Sequence, residues 1–449
     1  MTQVAVLVPG IMGSVLELNG KLIWPGPMSS LVFSYKLMPE LMSDGLKATD
    51  CIRSYLISSQ YITLINDLEK CGFSETAGTL VIAAYDWRRD NAKSAKTLAD
   101  ILEQVRIRQG VSCEISLIAH SMGGLVSRYY LESGEFSTHP ALGNVKRLIT
   151  LATPHQGAAL ALTMALGQEK QLFLSKEQVL EVCSDERFPA AYQLLPPPGE
   201  PFVVTGGPTE QFLPMDIYDS SIATALNLVP KNLAAAKTFH SKLSLGKRPP
   251  GVRYFCFAGT RQKTATYVRL QKRTTGFLAV KVEQEDGGDG TVPSWSSFFS
   301  RVERYFCGGE HGTIYQNNDL RRILGTILSR EGVLAGIPDE TQLAIRDKVV
   351  EPADEVHASI SFPGKLEDFS GVITVERVQI DPTTEATTIV TPPVSAFPIA
   401  YKGVGVESLS IKFPAPDKRG MYRVAVRNSV EAAPSAIDYL IVQEPTIVP

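Results

Sequence analysis

The stretch LIAHSMGGLV, residues 117–126, constrains this chain more than any other. An apolar run leads into a serine set between small residues, and a helical pattern, GGLVSRYYLES, follows at once. A backbone that turns from strand to helix through one serine needs small neighbours, because the two elements approach closely at the turn. The common pattern is G-x-S-x-G; here Ala119 takes the first small position, followed by His120, Ser121, Met122 and Gly123. Such an elbow lifts the hydroxyl above the edge of a buried sheet, which makes Ser121 the candidate nucleophile. Packing alone would explain a lone serine among small residues; the flanking strand and helix decide for the elbow.

Around it, short apolar runs alternate with helical patterns through the first three quarters of the chain. This is the signature of an α/β protein with a doubly wound, mostly parallel sheet covered on both faces. The pattern predicts strands at residues 4–8, 79–84, 114–119, 146–151, 253–258 and 301–306. Between the second and third, Ala95, Leu98, Leu102 and Val105 recur at helical spacing up to Gly110. Segments of about 14–60 and 156–250 interrupt the alternation and read as a lid and a cap inserted into a catalytic domain of residues 1–350. From about Pro352 short strands such as ASISF, VITVERVQI and YRVAVRN alternate with Gly, Pro and Asp. Residues 351–449 are therefore expected to form an all-β, immunoglobulin-like sandwich with no catalytic cluster of its own.

A net charge of −3 over 449 residues creates no field that would gather nucleic acid. The six cysteines are scattered without CxxC or paired spacing, and neither HExxH nor clustered His and carboxylates occur, so no metal or other cofactor is implied. Met1 is followed almost directly by VAVLVPG, which reads as a core strand and not as a secretory leader. A reducing, cytoplasmic setting is the expectation.

A serine hydroxyl becomes a useful nucleophile when an imidazole takes its proton and a carboxylate fixes that imidazole's tautomer. In sheets of this kind both follow the serine, the acid before the histidine. The chain has only six histidines, so elimination is possible. His120 adjoins Ser121 and should point away; His139 lies in a Pro-containing loop, His155 after the strand that follows the elbow, His240 in the cap and His357 in the C-terminal module. His311 remains, after the run RVERYFC and before a helical pattern, the expected place for the base. For the acid, GGDGTVPSWSS presents Asp289, with Asp286 as runner-up. The oxyanion needs backbone donors, for which Met122 supplies one and the turn in VPGIMGS the other, from Ile11 first and Met12 second.

Taken together, VAVLVPGIMGSVLE, AAYDWRRD, AHSMGGLVSRYYL, ITLATPHQGA, FPAAYQLLPPP, GGDGTVP and GEHGTIYQN resemble, in order, the lecithin:cholesterol acyltransferase family of α/β hydrolases and its lipase-like bacterial members. The resemblance spans residues 4 to about 330. It implies an α/β-hydrolase fold with Ser121, Asp289 and His311 as triad, and Ile11 and Met122 as oxyanion donors. It also implies Trp24, in LIWPGP, as a lid residue touching an acyl chain; Met12, on the oxyanion turn, is expected beside the substrate. Secreted members close this lid with a disulfide, whereas here no cysteine precedes Cys51. YDWR reads as structural. The expected activity is serine acyl hydrolysis of a fatty-acyl ester, by a lipase or phospholipase. The rivals are an acyltransferase differing only in the acceptor, and an inert hydrolase-fold scaffold. The expected partners are a lipid or acyl-ester substrate, a transient membrane-surface contact and a protein partner on the C-terminal sandwich, but no nucleic acid.

Overall fold

Six apolar runs form the central sheet: β1 (Gln3–Val8), β2 (Leu80–Ile82), β3 (Glu114–His120), β4 (Val145–Leu151), β5 (Arg253–Thr260) and β6 (Glu303–Gly308). The computed structural model describes the chain except residues 28–34, 55–60, 201, 206–212, 275–276, 300–301, 329–340, 382–385, 429–433 and 444–449. The strand order is β2-β1-β3-β4-β5-β6, with every pair parallel. The inner strands of a parallel sheet are covered on both faces, which is why β1, β3, β4 and β5 read as apolar runs and not as alternation, whereas the edge strand β6 is half exposed.

Four helices supply much of that cover: α1 (Ile62–Lys70), α2 (Asn91–Gln109), α3 (Met122–Glu132) and α4 (Asn318–Leu328). The side chains of β1 sort them into layers. Val4, Val6 and Val8 share a core with Leu98 and Leu102 of α2 and Leu125 of α3. Ala5 and Leu7 share the other with Leu64 and Ile65 of α1 and Leu320 and Leu324 of α4. The α2 start is set by Asp90, whose carboxylate accepts from the Ala92 amide at 2.9 Å, and its end by Gly110 at φ 96°. All six cysteines are buried and unpaired.

The interruptions acquire structure of their own. In the expected lid, Ser14–Leu18, Lys21–Trp24 and Lys47–Cys51 form a small antiparallel sheet, while the lid's residues 28–34 and 55–60 lie outside the described residues. In the expected cap, helices at Leu160–Ala165 and Lys176–Ser184 precede the strand Val203–Thr205, and helices at Ser220–Ala225 and Pro230–Lys242 follow it; residues 201 and 206–212 lie outside the description. A long hairpin, Gln262–Lys272 with Phe277–Gly288, was not anticipated. Its first strand pairs in parallel with Val203–Thr205, so the cap's sheet draws on chain from beyond residue 250.

The C-terminal region is a strand-rich sheet domain, as expected: β7 (Gln342–Ile345), β8 (Val349–Val350), β9 (Glu355–Ile380), β10 (Thr387–Ile389), β11 (Ser395–Pro414), β12 (Gly420–Asn428) and β13 (Ala436–Val442). Hydrogen bonding joins them in one sheet, because ASISF and VITVERVQI are two arms of the single strand β9. Register shifts against β11 fall between Ser361 and Asp368, where Pro363 and Gly364 mark an irregularity and not a break. Val356 and Ile360 of one arm and Ile373 and Val375 of the other share a core with Val424 and Leu440.

This sheet is fastened to the rest of the chain. Asn318 Nδ2 donates to the Phe362 carbonyl at 3.0 Å, and Lys170 pairs with Glu351 at 2.9 Å. Val378, Met421 and Ile441 belong to the same apolar cluster as the cap residues. Among the described residues no helix is long and apolar enough to cross a membrane.

Candidate active site

The register of the central sheet brings the functional loops to one edge. Val8 of β1 lies beside Ala119 of β3, and His120 beside Leu151 of β4, so the chain leaving β1 and the turn leaving β3 emerge together. The strand order reverses between β1 and β3, the place where open α/β sheets leave a crevice at their carboxyl ends.

Ser121 occupies the turn at φ 51° and ψ −126°, backbone space that a non-glycine residue adopts only when its surroundings enforce it. The enforcement is visible. The Ser121 amide donates to the Leu151 carbonyl at 2.9 Å, and a Cβ at Gly123 would lie 2.4 Å from the Val8 carbonyl oxygen. Only glycine lets α3 start so close to β1.

The two other sequence-chosen groups come to this serine. His311 Nε2 lies 2.8 Å from Ser121 Oγ, and His311 Nδ1 lies 2.8 Å from Asp289 Oδ2. The Asp289 side chain is fully buried, and its second oxygen accepts from the Thr291 and Val292 amides at 3.0 and 2.7 Å. Its backbone carbonyl accepts the His311 amide at 2.9 Å, so acid and base are tied through main chain as well as side chain. Asp286, the runner-up, is exposed.

Ile11 and Met122 sit on the two turns flanking the serine. The Met122 amide opens α3, where an N–H has no partner within the helix. The Gly10 amide is already engaged, donating to Tyr61 Oη at 2.9 Å, which leaves the next amides in that turn, those of Ile11 and Met12, as the available donors. Trp24 is fully buried: its Nε1 donates to the Met12 carbonyl at 2.8 Å and its ring packs on Tyr35, Trp87 and Phe173. It therefore braces the turn from behind in this conformation and faces no solvent. YDWR is likewise internal, with Tyr85 Oη donating to the Pro9 carbonyl at 2.8 Å and Arg88 paired with Asp86 at 2.6 Å over the Phe188 ring.

Ser121 itself is only 5% exposed. Beside the Ile11 and Met12 turn runs a narrow, mostly apolar cavity bounded by Trp87, Met164, Val179 and Phe188, with room for about one water molecule at most. The site is thus closed over.

Two residues around the site, Tyr61 and Glu310, escaped the sequence reading, and a third, His120, was read only as pointing away from Ser121. His120 is buried against Tyr61 and the His311 backbone, and burial, reinforced by the nearby His311, brings its pKa down to about 3. Tyr61 lies just past the segment read as lid. Glu310, next to His311, is buried too, and burial pushes its carboxyl well above the usual carboxylate range. Tyr61 and His120 find each other across 59 residues of sequence, so no local motif announces the pairing.

A doubly wound parallel sheet with a strained serine elbow after the strand beside β1 is the α/β-hydrolase architecture, and fold and site together define that class. Within it, residues 38–217 match the family model described as Lecithin:cholesterol acyltransferase, over a span that includes the YDWR and AHSMGG stretches. Of the stretches that carry the resemblance, AAYDWRRD, AHSMGGLVSRYYL, ITLATPHQGA and FPAAYQLLPPP lie within that span. No curated protein matches the chain. Similar solved structures include the Tle4–Tli4 complex, with 13% identity, a TM-score of 0.47 and coverage of 73% of this chain and 98% of that one. The mature lipase BlEst2 of Bacillus licheniformis shows 15% identity, a TM-score of 0.37 and coverage of 73% and 93%. The lin2722 gene product of Listeria innocua shows 12%, 0.33, and 72% and 92%.

Proposed function

We propose that this protein is a serine hydrolase of fatty-acyl carboxylic esters, a lipase or phospholipase. The observation that carries the reading is the continuous line from Asp289 through His311 to Ser121, two contacts of 2.8 Å at the rim of the sheet. His311 takes the Ser121 proton as Oγ attacks the ester carbonyl, and Asp289 holds the imidazole in the tautomer that allows it and stabilises the imidazolium. The oxyanion forms against the Met122 and Ile11 amides, each worth about 3 kcal/mol of barrier. His311 then returns its proton to the departing alcohol, and water repeats the sequence on the acyl-enzyme, releasing the acid.

The mostly apolar side chains gathered around Ile11 and Met12 support an acyl chain as the group to be seated, once the cap residues among them, Met164 to Ala191, move apart. Met12 lines that path and Trp24 supports Met12 from behind. The match to a family described as an acyltransferase keeps one other outcome in view, in which an alcohol and not water resolves the acyl-enzyme.

The test pairs a fluorophosphonate probe with lipid mass spectrometry. Wild-type protein is expected to be labelled at Ser121 and to release free fatty acid from phospholipid vesicles, and Ser121→Ala to do neither. An acylated alcohol in place of fatty acid would make it a transferase. A wild-type protein that takes no label and releases nothing would be a scaffold on a hydrolase frame, and the proposal would fall.

A further inference from the structure

Next to the nucleophile, His120 joins parts of the site that the triad leaves unconnected. His120 Nε2 lies 2.9 Å from the His311 carbonyl oxygen, His120 Nδ1 lies 2.8 Å from Tyr61 Oη, and Tyr61 Oη lies 2.9 Å from the Gly10 nitrogen. The partners leave one assignment of protons. A backbone N–H only donates and a carbonyl only accepts, so the Gly10 amide donates to Tyr61 Oη and His120 Nε2–H donates to His311. A neutral imidazole protonated at Nε2 has a bare Nδ1, which accepts the remaining Tyr61 O–H. Both side chains are buried, Tyr61 at 2% and His120 at 6% exposure, and the Tyr315 ring closes on both.

We infer that Tyr61 and His120 are positioning residues, a relay that sets the distance between the oxyanion turn at Gly10–Ile11 and the backbone of the base His311. The inference rests on the serine-hydrolase reading above and adds residues outside the triad and the oxyanion hole. Gly10 can take part because it has no side chain: a Cβ there would lie 2.8 Å from Ser121 Cβ and 3.3 Å from His120 Nδ1. The relay also keeps charge away from the base. The His120 and His311 ring centroids are 5.1 Å apart, and when His311 becomes an imidazolium its neighbour must stay neutral. With His120 protonated only at Nε2, it does. A serine lifted on a strained turn fixes its own hydroxyl and the adjoining Met122 amide, but nothing in the triad fixes the Ile11 donor relative to the base; this chain of three hydrogen bonds does.

The test compares wild type with Tyr61→Phe, His120→Ala and His120→Gln, reading the second-order rate of fluorophosphonate labelling at Ser121, and kcat and KM on a short p-nitrophenyl ester. Displacing a donor without removing it is expected to slow labelling and kcat by about tenfold or more in Tyr61→Phe and His120→Ala. KM should stay within about twofold, since the interaction is made in the transition state. The Gln amide reaches the Nε2 position and donates to the His311 carbonyl, so His120→Gln is expected to regain much of what His120→Ala loses. Independently of any variant, the ¹⁵N spectrum of histidine-labelled wild type at neutral pH should show His120 protonated at Nε2 and bare at Nδ1. Wild-type labelling rates in folded Tyr61→Phe and His120→Ala, or an Nδ1–H tautomer in the wild-type spectrum, would overturn the relay. An unlabelled wild type overturns the hydrolase reading first, and the relay's role falls with it.

Discussion

Asp289 is the residue at which sequence alone left a choice. The stretch EDGGDGTVP offers two carboxylates, and nothing local separates an orienting acid from a turn-forming aspartate. The structure brings one of them, Asp289, to His311 while its other oxygen is held by two amides; Asp286 stays in solvent at φ 55°. Ser121 and His311 were legible for different reasons: the serine from its immediate neighbours, the histidine because so few alternatives exist. Tyr61 and Trp24 were not, since a tyrosine or tryptophan in an irregular segment looks the same whether it braces a turn or meets a ligand. Asp289→Asn removes the acceptor that fixes the His311 tautomer while preserving shape. Steady-state kinetics should show kcat falling by about 10⁴, with KM little changed. A loss below tenfold would mean that Asp289 does not orient the base.

At the scale of elements, the six strands and α2 could be read from periodicity because their burial repeats along the chain. The cap hairpin was passed over although TATYVRLQ and FLAVKVEQ alternate, because a pattern of two does not say which distant strand it pairs with. The two arms of β9 were read as separate strands because Pro and Gly punctuate both a break and a bulge. The helix after His311 is held by a further contact between elements. Arg321 of α4, the helix after His311, makes a bidentate pair with Asp67 of α1 at 2.7 and 3.0 Å, with both side chains 1% exposed. Asp67→Ala deprives a buried guanidinium of its carboxylate, and chemical denaturation should show a loss of about 3–5 kcal/mol. The double variant Asp67→Leu, Arg321→Met should recover most of it, because an apolar pair of similar volume needs no partner. Equal losses in single and double variants would mean that shape and not charge is what counts there.

For the whole molecule, buried imidazoles set the response to acid. Burial holds His120 at about 3, His240 at about 4, and His155 well below the ordinary 6.5. The unfolded chain takes up these protons as pH falls through 6.5 and the native fold does not, so stability present above that value is lost on acidification. Glu310 acts in the opposite sense: its raised carboxyl burdens the fold above the ordinary 4.5 and is relieved by protonation. Asp438, buried and raised above its ordinary 3.8, acts as Glu310 does, so three imidazoles stand against two carboxyls. The melting temperature is therefore expected to fall between pH 7 and pH 5, as followed by circular dichroism. A flat or rising profile would mean that these histidines are not held neutral.

What the sequence determined by itself is whatever contiguous residues enforce through sterics and burial: six strands, the helix between the second and third, and a serine forced onto a tight turn by small neighbours. What only the tertiary structure decided is partnership across long stretches of chain: Asp289 over Asp286, Tyr61 under Gly10, Trp24 behind Met12, and one bent sheet at the C-terminus. The reason is geometric. A local conformation costs the same wherever the chain goes next, whereas a hydrogen bond between residues nearly two hundred positions apart, as between Ser121 and His311, exists only once the whole sheet has brought its carboxyl ends to one edge.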